Sequence, residues 1–134
     1  MKFISAGYLF FILLTLMFSC KKDEAIPQTN EARFIGLWVE SSAKKDTVLV
    51  TQGDGETGPV LFLYPNGKLA IPFTYSFYAN GDSVKLSNMS SSNMADRNVP
   101  YKIIFPDNQT FTINRFHSSL PAQQPLTFNR VLRY

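Results

Sequence analysis

An all-β fold, specifically a small antiparallel up-and-down barrel of eight strands, is the architecture expected of this chain, with a β-sandwich as the alternative. Three features carry that expectation. Short apolar runs alternate with polar residues at a period of two, the signature of half-buried strands. Turn-forming segments such as Pro65-Asn66-Gly67 and Asn80-Gly81 separate the runs, at the lengths that join neighbouring antiparallel strands. Beyond the N-terminal apolar stretch, no helix-length window repeats apolar residues at i, i+3, i+4 and i+7.

The elements follow in order. Phe34 to Glu40 reads as the first strand, Asp46 to Thr51 as the second and Pro59 to Tyr64 as the third. Pro65-Asn66-Gly67 marks a tight hairpin, because Asn-Gly tolerates the positive φ such turns require. Lys68 to Tyr78 is a long alternating strand, with Leu69, Ile71, Phe73, Tyr75 and Phe77 expected on one face. Ala70, Thr74 and Ser76 take the other. Pro72 lacks a ladder donor and implies an edge, bulge or bend. After Asn80-Gly81, Asp82 to Asn88 turns Val84 and Leu86 inward. Ser90 to Asn98 is polar and reads as a loop. Tyr101 to Phe105 is the sixth strand, Thr110 to Phe116 the seventh with Phe111 and Ile113 inward, and Leu126 to Arg133 the eighth. The loop His117 to Pro125 separates the last two. A meander of this kind removes its exposed edges by closing. Eight strands enclose an interior that side chains fill or that holds one small ligand.

The N-terminus is an address label. Lys2 precedes the apolar run Tyr8 to Phe18, and Ser19-Cys20 follows; a basic start, a short apolar core and a small residue at the cut make a secretory signal. The run is shorter than the ~20 residues that span a bilayer as a helix. Ser19-Cys20 resembles the lipobox of bacterial lipoproteins, although Met17 and Phe18 depart from its commonest form. The resemblance implies cleavage before Cys20 and acylation of that cysteine by long chains such as palmitate. Each buried methylene contributes about 0.8 kcal/mol, so two or more chains anchor stably. Three regions are expected: a signal peptide over 1–19, a lipidated cysteine and flexible tether over 20–32, and a barrel domain over 33–134. Lys21 replaces the aspartate that retains many lipoproteins at the inner membrane, which by resemblance implies a lipid anchor in the outer membrane of the cell envelope. Lys22-Asp23-Glu24 is similar to a Lys-acid-acid surface-export signal, or is a solvated tether. Both the periplasmic face and the cell surface stay open.

Composition narrows the function. The formal net charge is +3, too mild and too scattered for a nucleic-acid partner. Cys20 is the only cysteine; once lipidated it leaves no thiol for a disulfide, zinc site or nucleophile. Stability then rests on packed aromatics.

Gly36-Leu37-Trp38 resembles the Gly-x-Trp motif of lipocalins. In that superfamily the tryptophan closes one barrel end and an arginine of the last strand packs across its ring. Arg130 and Arg133 are available here. Phe128 and Leu132 put the even positions of the last strand inward, so Arg130 is the expected partner of Trp38, with Arg133 as fallback. The resemblance covers Arg33 to Tyr134 and points to the lipocalin-like domains of bacterial lipoproteins.

Candidate catalytic sites are discounted on spacing. Gly53-Asp54-Gly55-Glu56 lacks the acid repeat of a calcium loop, so no metal and no cofactor is expected. His117, the single histidine, stands beside Ser118-Ser119 with nothing in the sequence to orient it as a base. Asp82, Asp96 and Asp107 fall at turns, where Asp bonds locally. Candidate ligand-lining residues are Tyr64, Phe73, Tyr75, Phe77, Tyr101 and Phe111, with the loops Gln52–Gly58, Asn88–Asn98 and His117–Pro125 as a rim. The expected function is a non-catalytic, lipid-anchored module that binds a small apolar or amphipathic ligand. The alternative is an accessory or inhibitory lipoprotein whose loops dock on an envelope protein. A hydrolase is the least favoured class, because no Gly-x-Ser-x-Gly elbow or phosphate loop is present.

Overall fold

Period-two alternation emerges as burial alternation in the computed structural model, which describes residues 29–54, 56 and 58–133. The expected signal peptide, Cys20 and most of the expected tether lie outside the described residues. A five-residue helix α1 (Asn30–Phe34) is followed by strands β1 (Gly36–Glu40), β2 (Thr47–Thr51), β3 (Val60–Tyr64), β4 (Ile71–Phe77), β5 (Ser83–Asn88), β6 (Val99–Ile104), β7 (Thr110–Ile113) and β8 (Leu126–Leu132). The strands form a closed barrel in sequence order, every pairing antiparallel, with β8 returning to β1. This is the lipocalin-like, up-and-down architecture. Closure leaves no edge strand to recruit another chain.

Because the chain reverses at every step, its connections sort to two ends. Connections 52–59, 78–82 and 105–109 share one end with α1. Connections 41–46, 65–70, 89–98 and 114–125 share the other. The α1 end is plugged. Thr29 caps the helix by accepting from the Ala32 N–H at 3.2 Å. Phe34 is fully buried and meets Tyr75, Phe77, Phe105 and Phe111 edge-on at centroid distances of 5.2–6.2 Å. Asn30 Nδ2 donates to the Gly81 carbonyl at 2.8 Å, and Arg33 Nη2 donates to the carbonyls of Phe105 and Asp107 at 3.2 and 2.7 Å. These bonds fasten the helix to two connections of the closed end.

Side chains fill the interior above this plug. Trp38, Val48, Val50, Leu61, Leu63, Val84, Ile103, Phe111, Ile113, Leu126 and Phe128 are all buried. Phe111 stacks on Phe128 at 4.9 Å and meets Trp38 in a T-shaped contact at 4.8 Å. Glu40 continues the inward parity of β1 and is fully buried. Its Oε1 accepts from the Ser42 N–H and hydroxyl at 2.9 and 2.7 Å, and its Oε2 from the Ala43 N–H at 2.8 Å. Burial pushes this carboxyl up, but the bonds from Ala43, Ser42 and Lys44 outweigh burial and hold it below its ordinary value. Asp46 ties that turn to the next connection by accepting from the Asn66 N–H at 3.0 Å.

Several expectations need correction. Phe34 belongs to α1, not to the first strand, and the last tether residues expected through Ala32 are part of that helix. Leu69 is 90 % exposed instead of inward. The turn after β3 is a 3-10 turn over Pro65–Gly67, with Asn66 at φ 50° and Gly67 at φ 68°, so β4 begins only at Ile71. Pro72 sits inside β4 opposite Phe62, and its carbonyl accepts from the Met89 N–H at 2.9 Å. β7 stops at Ile113, which leaves Phe116 in a loop. Leu132 is exposed because the β1–β8 register slips between Leu37 and Trp38, ending the inward parity of β8 at Arg130.

Candidate functional site

The two ends of the barrel have different chemistry. At the closed end, Arg130 stands opposite Trp38 in the β1–β8 register, and its guanidinium lies 4.0 Å from the centroid of the indole ring. Its Nε donates to Asn108 O at 2.8 Å, Nη1 to Ile35 O at 2.7 Å and Nη2 to Arg33 O at 2.5 Å. One side chain therefore joins α1, the β6–β7 connection and the tryptophan. The indole Nε1–H donates to Phe34 O at 2.8 Å, so the buried ring is also bonded to the plug. Gly36 is required on two counts: its φ is +141°, and a Cβ there would lie 2.6 Å from Leu132 O and 2.7 Å from Arg130 Nη1. Arg133 follows β8 beside Gly36, its Cα 3.7 Å from where that Cβ would be, and Arg130 is the arginine that lies on the indole. This constellation ties the helix, the last strand and the tryptophan together at the closed end.

The opposite end carries a cavity of about 240 Å³. Phe73 of β4, Leu86 of β5 and Phe116 of the β7–β8 connection give it an apolar floor. Tyr101, Asn88, Asp96, His117 and Ser118 bring polar groups to the rim. The strands supply the floor because inward positions Phe73, Leu86 and Tyr101 reach this end after the core has been filled. The loops supply the rest. Phe116 packs edge-on against Phe73 at 5.5 Å and Tyr101 at 6.2 Å, and His117 meets Phe73 at 6.1 Å. Both loops are held by local bonds. Asn93 caps the 3-10 turn Met94–Asp96 by accepting from the Ala95 N–H, and Ser91 Oγ donates to Asp96 Oδ2 at 2.5 Å. Arg115 braces the other loop, donating to the carbonyls of His117 and Ser118.

The tautomer of His117 follows from its neighbours. The Ser119 N–H donates to Nδ1 at 3.2 Å, and Ser119 Oγ lies 2.7 Å from the same atom. Nδ1 is thus the acceptor, and the neutral ring carries its proton on Nε2. Burial and then Arg115 push the imidazole pKa down, against an opposite pull from Asp96. Burial and then Asp96 push the Tyr101 phenol up. At neutral pH both rings are uncharged. Ser119 converges with both its groups on one nitrogen, unlike a triad in which the acid and the nucleophile take different nitrogens. Among the described residues no group of three His, Cys, Asp or Glu side chains is placed to hold a metal.

Of the expected ligand-lining residues, Phe73 and Tyr101 face this cavity. Tyr75, Phe77 and Phe111 instead pack around Phe34 at the closed end, and Tyr75 donates its hydroxyl to Thr51 O at 3.2 Å. Tyr64 alternates out of the barrel with Val60 and Phe62. The 52–59 connection lies at the plugged end, away from the cavity, so it is not part of the rim. Leu86, Asn88, Asp96, Phe116, His117 and Ser118 complete the lining beyond the expected residues, four of them on the expected rim loops 88–98 and 117–125. Strand parity was the available signal: in a meander, the connections after β5 and β7 must share an end, and the one after β2 must not.

Comparison with protein families, curated proteins and solved structures gives no significant match to this chain. The functional reading therefore rests on the chain's own residues.

Proposed function

We propose that this protein is a lipid-anchored, non-catalytic binding module of the cell envelope, attached through Cys20 to the outer membrane, and that its open-end cavity holds a small amphipathic ligand. One observation carries the reading: an otherwise filled barrel keeps a cavity with an aromatic floor and a polar rim at one end. Ligand sites combine apolar lining with a few placed polar groups. The volume sets the ligand's size. An engineered apolar cavity of about 150 Å³ accepts benzene, so about 240 Å³ suits one ring or short chain with a polar head. The lipobox resemblance supports the anchor. The described chain begins at Thr29 on the plugged end, opposite the cavity.

The test is mass spectrometry of the protein purified from its native membranes. The expected spectrum shows a diacylated or triacylated N-terminal cysteine, lost in Cys20→Ala, and a bound small molecule displaced in Ser118→Trp, which places a bulky ring at the exposed rim. A soluble, unacylated chain contradicts the anchor; a chain that never carries a small molecule contradicts the binding role.

A second reading has its own observation. Leu69, Met89 and Met94 are 90 %, 58 % and 73 % exposed, and all three lie on connections of the open end. Exposed apolar side chains around one end suit docking on an envelope protein. Crosslinking from position 94 in intact cells that captures one defined partner, and is lost in Leu69→Ser, supports this reading.

A further inference from the structure

The cavity's chemistry narrows the class of ligand, an inference that rests on reading the cavity as a ligand site. Phe73, Tyr101, Phe116 and His117 present ring surfaces around one space. Ring faces carry negative potential and attract cations. Asp96 adds a carboxylate to the same rim, and Ser91 occupies its Oδ2 only. Among the described residues no lysine or arginine lines the cavity. Arg115 is engaged on the carbonyls of His117 and Ser118, and its charge reaches the His117 ring without being part of the lining. The Nδ1 of His117 accepts from the Ser119 N–H, so the imidazole adds no positive charge in this state. A cavity whose described lining holds one carboxylate, several rings and no lysine or arginine favours a positive head.

We infer that the open-end cavity takes a small organic ammonium ion, its charged head beside Asp96 and Tyr101 and its apolar body against Phe73, Leu86 and Phe116. The size admits a single ring or a short alkyl group on the nitrogen. A long acyl chain does not fit, because the barrel interior beneath the floor is filled by Phe111, Phe128 and Trp38.

The experiment is calorimetric titration of the full-length protein in detergent with three probes of nearly equal shape: benzylammonium, benzyl alcohol and benzoate. Benzylammonium should bind about tenfold more tightly than benzyl alcohol, the combined effect of an exposed ion pair and ring contacts, and benzoate should bind most weakly. Asp96→Asn should erase most of the preference for benzylammonium, and Ser118→Trp should weaken all three probes. Equal or tighter binding of benzyl alcohol or benzoate, still sensitive to Ser118→Trp, overturns the cation assignment and leaves the cavity as a ligand site. Unchanged benzylammonium affinity in Asp96→Asn overturns it too. Failure of all three probes to bind removes the ligand-site reading, and this inference falls with it.

Discussion

Replacing Arg130 by alanine probes the closed end at its most connected point. The guanidinium donates to the carbonyls of Arg33, Ile35 and Asn108 and lies on the Trp38 ring. A hydrogen bond to a charged group contributes about 1.5–3 kcal/mol when shielded. Arg130 is half-buried, so water rehydrates part of what it leaves, and each carbonyl is better counted at about 0.5–1 kcal/mol. The ring contact adds about 0.5–1 kcal/mol at a partly exposed site. The expected loss is about 2–4 kcal/mol, or a fall in Tm of roughly 10–20 °C for a domain of this size. Urea unfolding followed by the fluorescence of Trp38, the single tryptophan, measures it directly. Arg130→Lys should recover little, because an ammonium cannot reach three carbonyls and lie flat on the indole. A loss below about 0.5 kcal/mol in Arg130→Ala, or a wild-type midpoint in Arg130→Lys, refutes the argument that this side chain holds the plug.

Three further outcomes are expected. Gly36→Ala should destabilise by at least about 2 kcal/mol, because its φ of +141° is strained for alanine and the Cβ would lie 2.6 Å from Leu132 O; thermal melting checks this. Phe34→Ala should cost about 3–5 kcal/mol, since a fully buried ring is removed from four aromatic contacts, and hydrogen exchange should speed first in α1. Glu40 stabilises the fold in its ionised form: its folded pKa is depressed, so its contribution is present above the unfolded value near 4.5 and is lost as pH falls through the folded value. Unfolding free energies of wild type and Glu40→Gln from urea titration should therefore differ by about 1–3 kcal/mol at pH 7 and converge as pH falls below 4.5.

The eight strands were legible because alternation and hairpin turns recur along the chain, and closure follows from the liability of exposed edges. The small helix was not. Asn30–Phe34 is too short to show a helical period, and its order comes from distant partners, the carbonyls of Gly81, Phe105 and Asp107. The face of Leu132 is not legible in the sequence, because a register slip in the β1–β8 pair leaves no mark in the composition of either strand. At the open end, inward parity was enough to nominate Phe73 and Tyr101. Asp96, Phe116 and His117 escaped because loops position them, and those loops are shaped by local side-chain bonds from Ser91, Asn93 and Arg115. Counting parity would have assigned each loop to an end; it would not have turned a particular side chain into the cavity.

The central claim is that the open-end cavity is a ligand site. The most direct measurement is a crystal structure of the protein purified from its native membranes, examined in the space between Phe73, Tyr101, Phe116 and His117. Continuous density for a small molecule with a polar head at the Asp96 rim is the predicted result. A cavity filled only by solvent, or closed by inward movement of Phe116, would contradict the account.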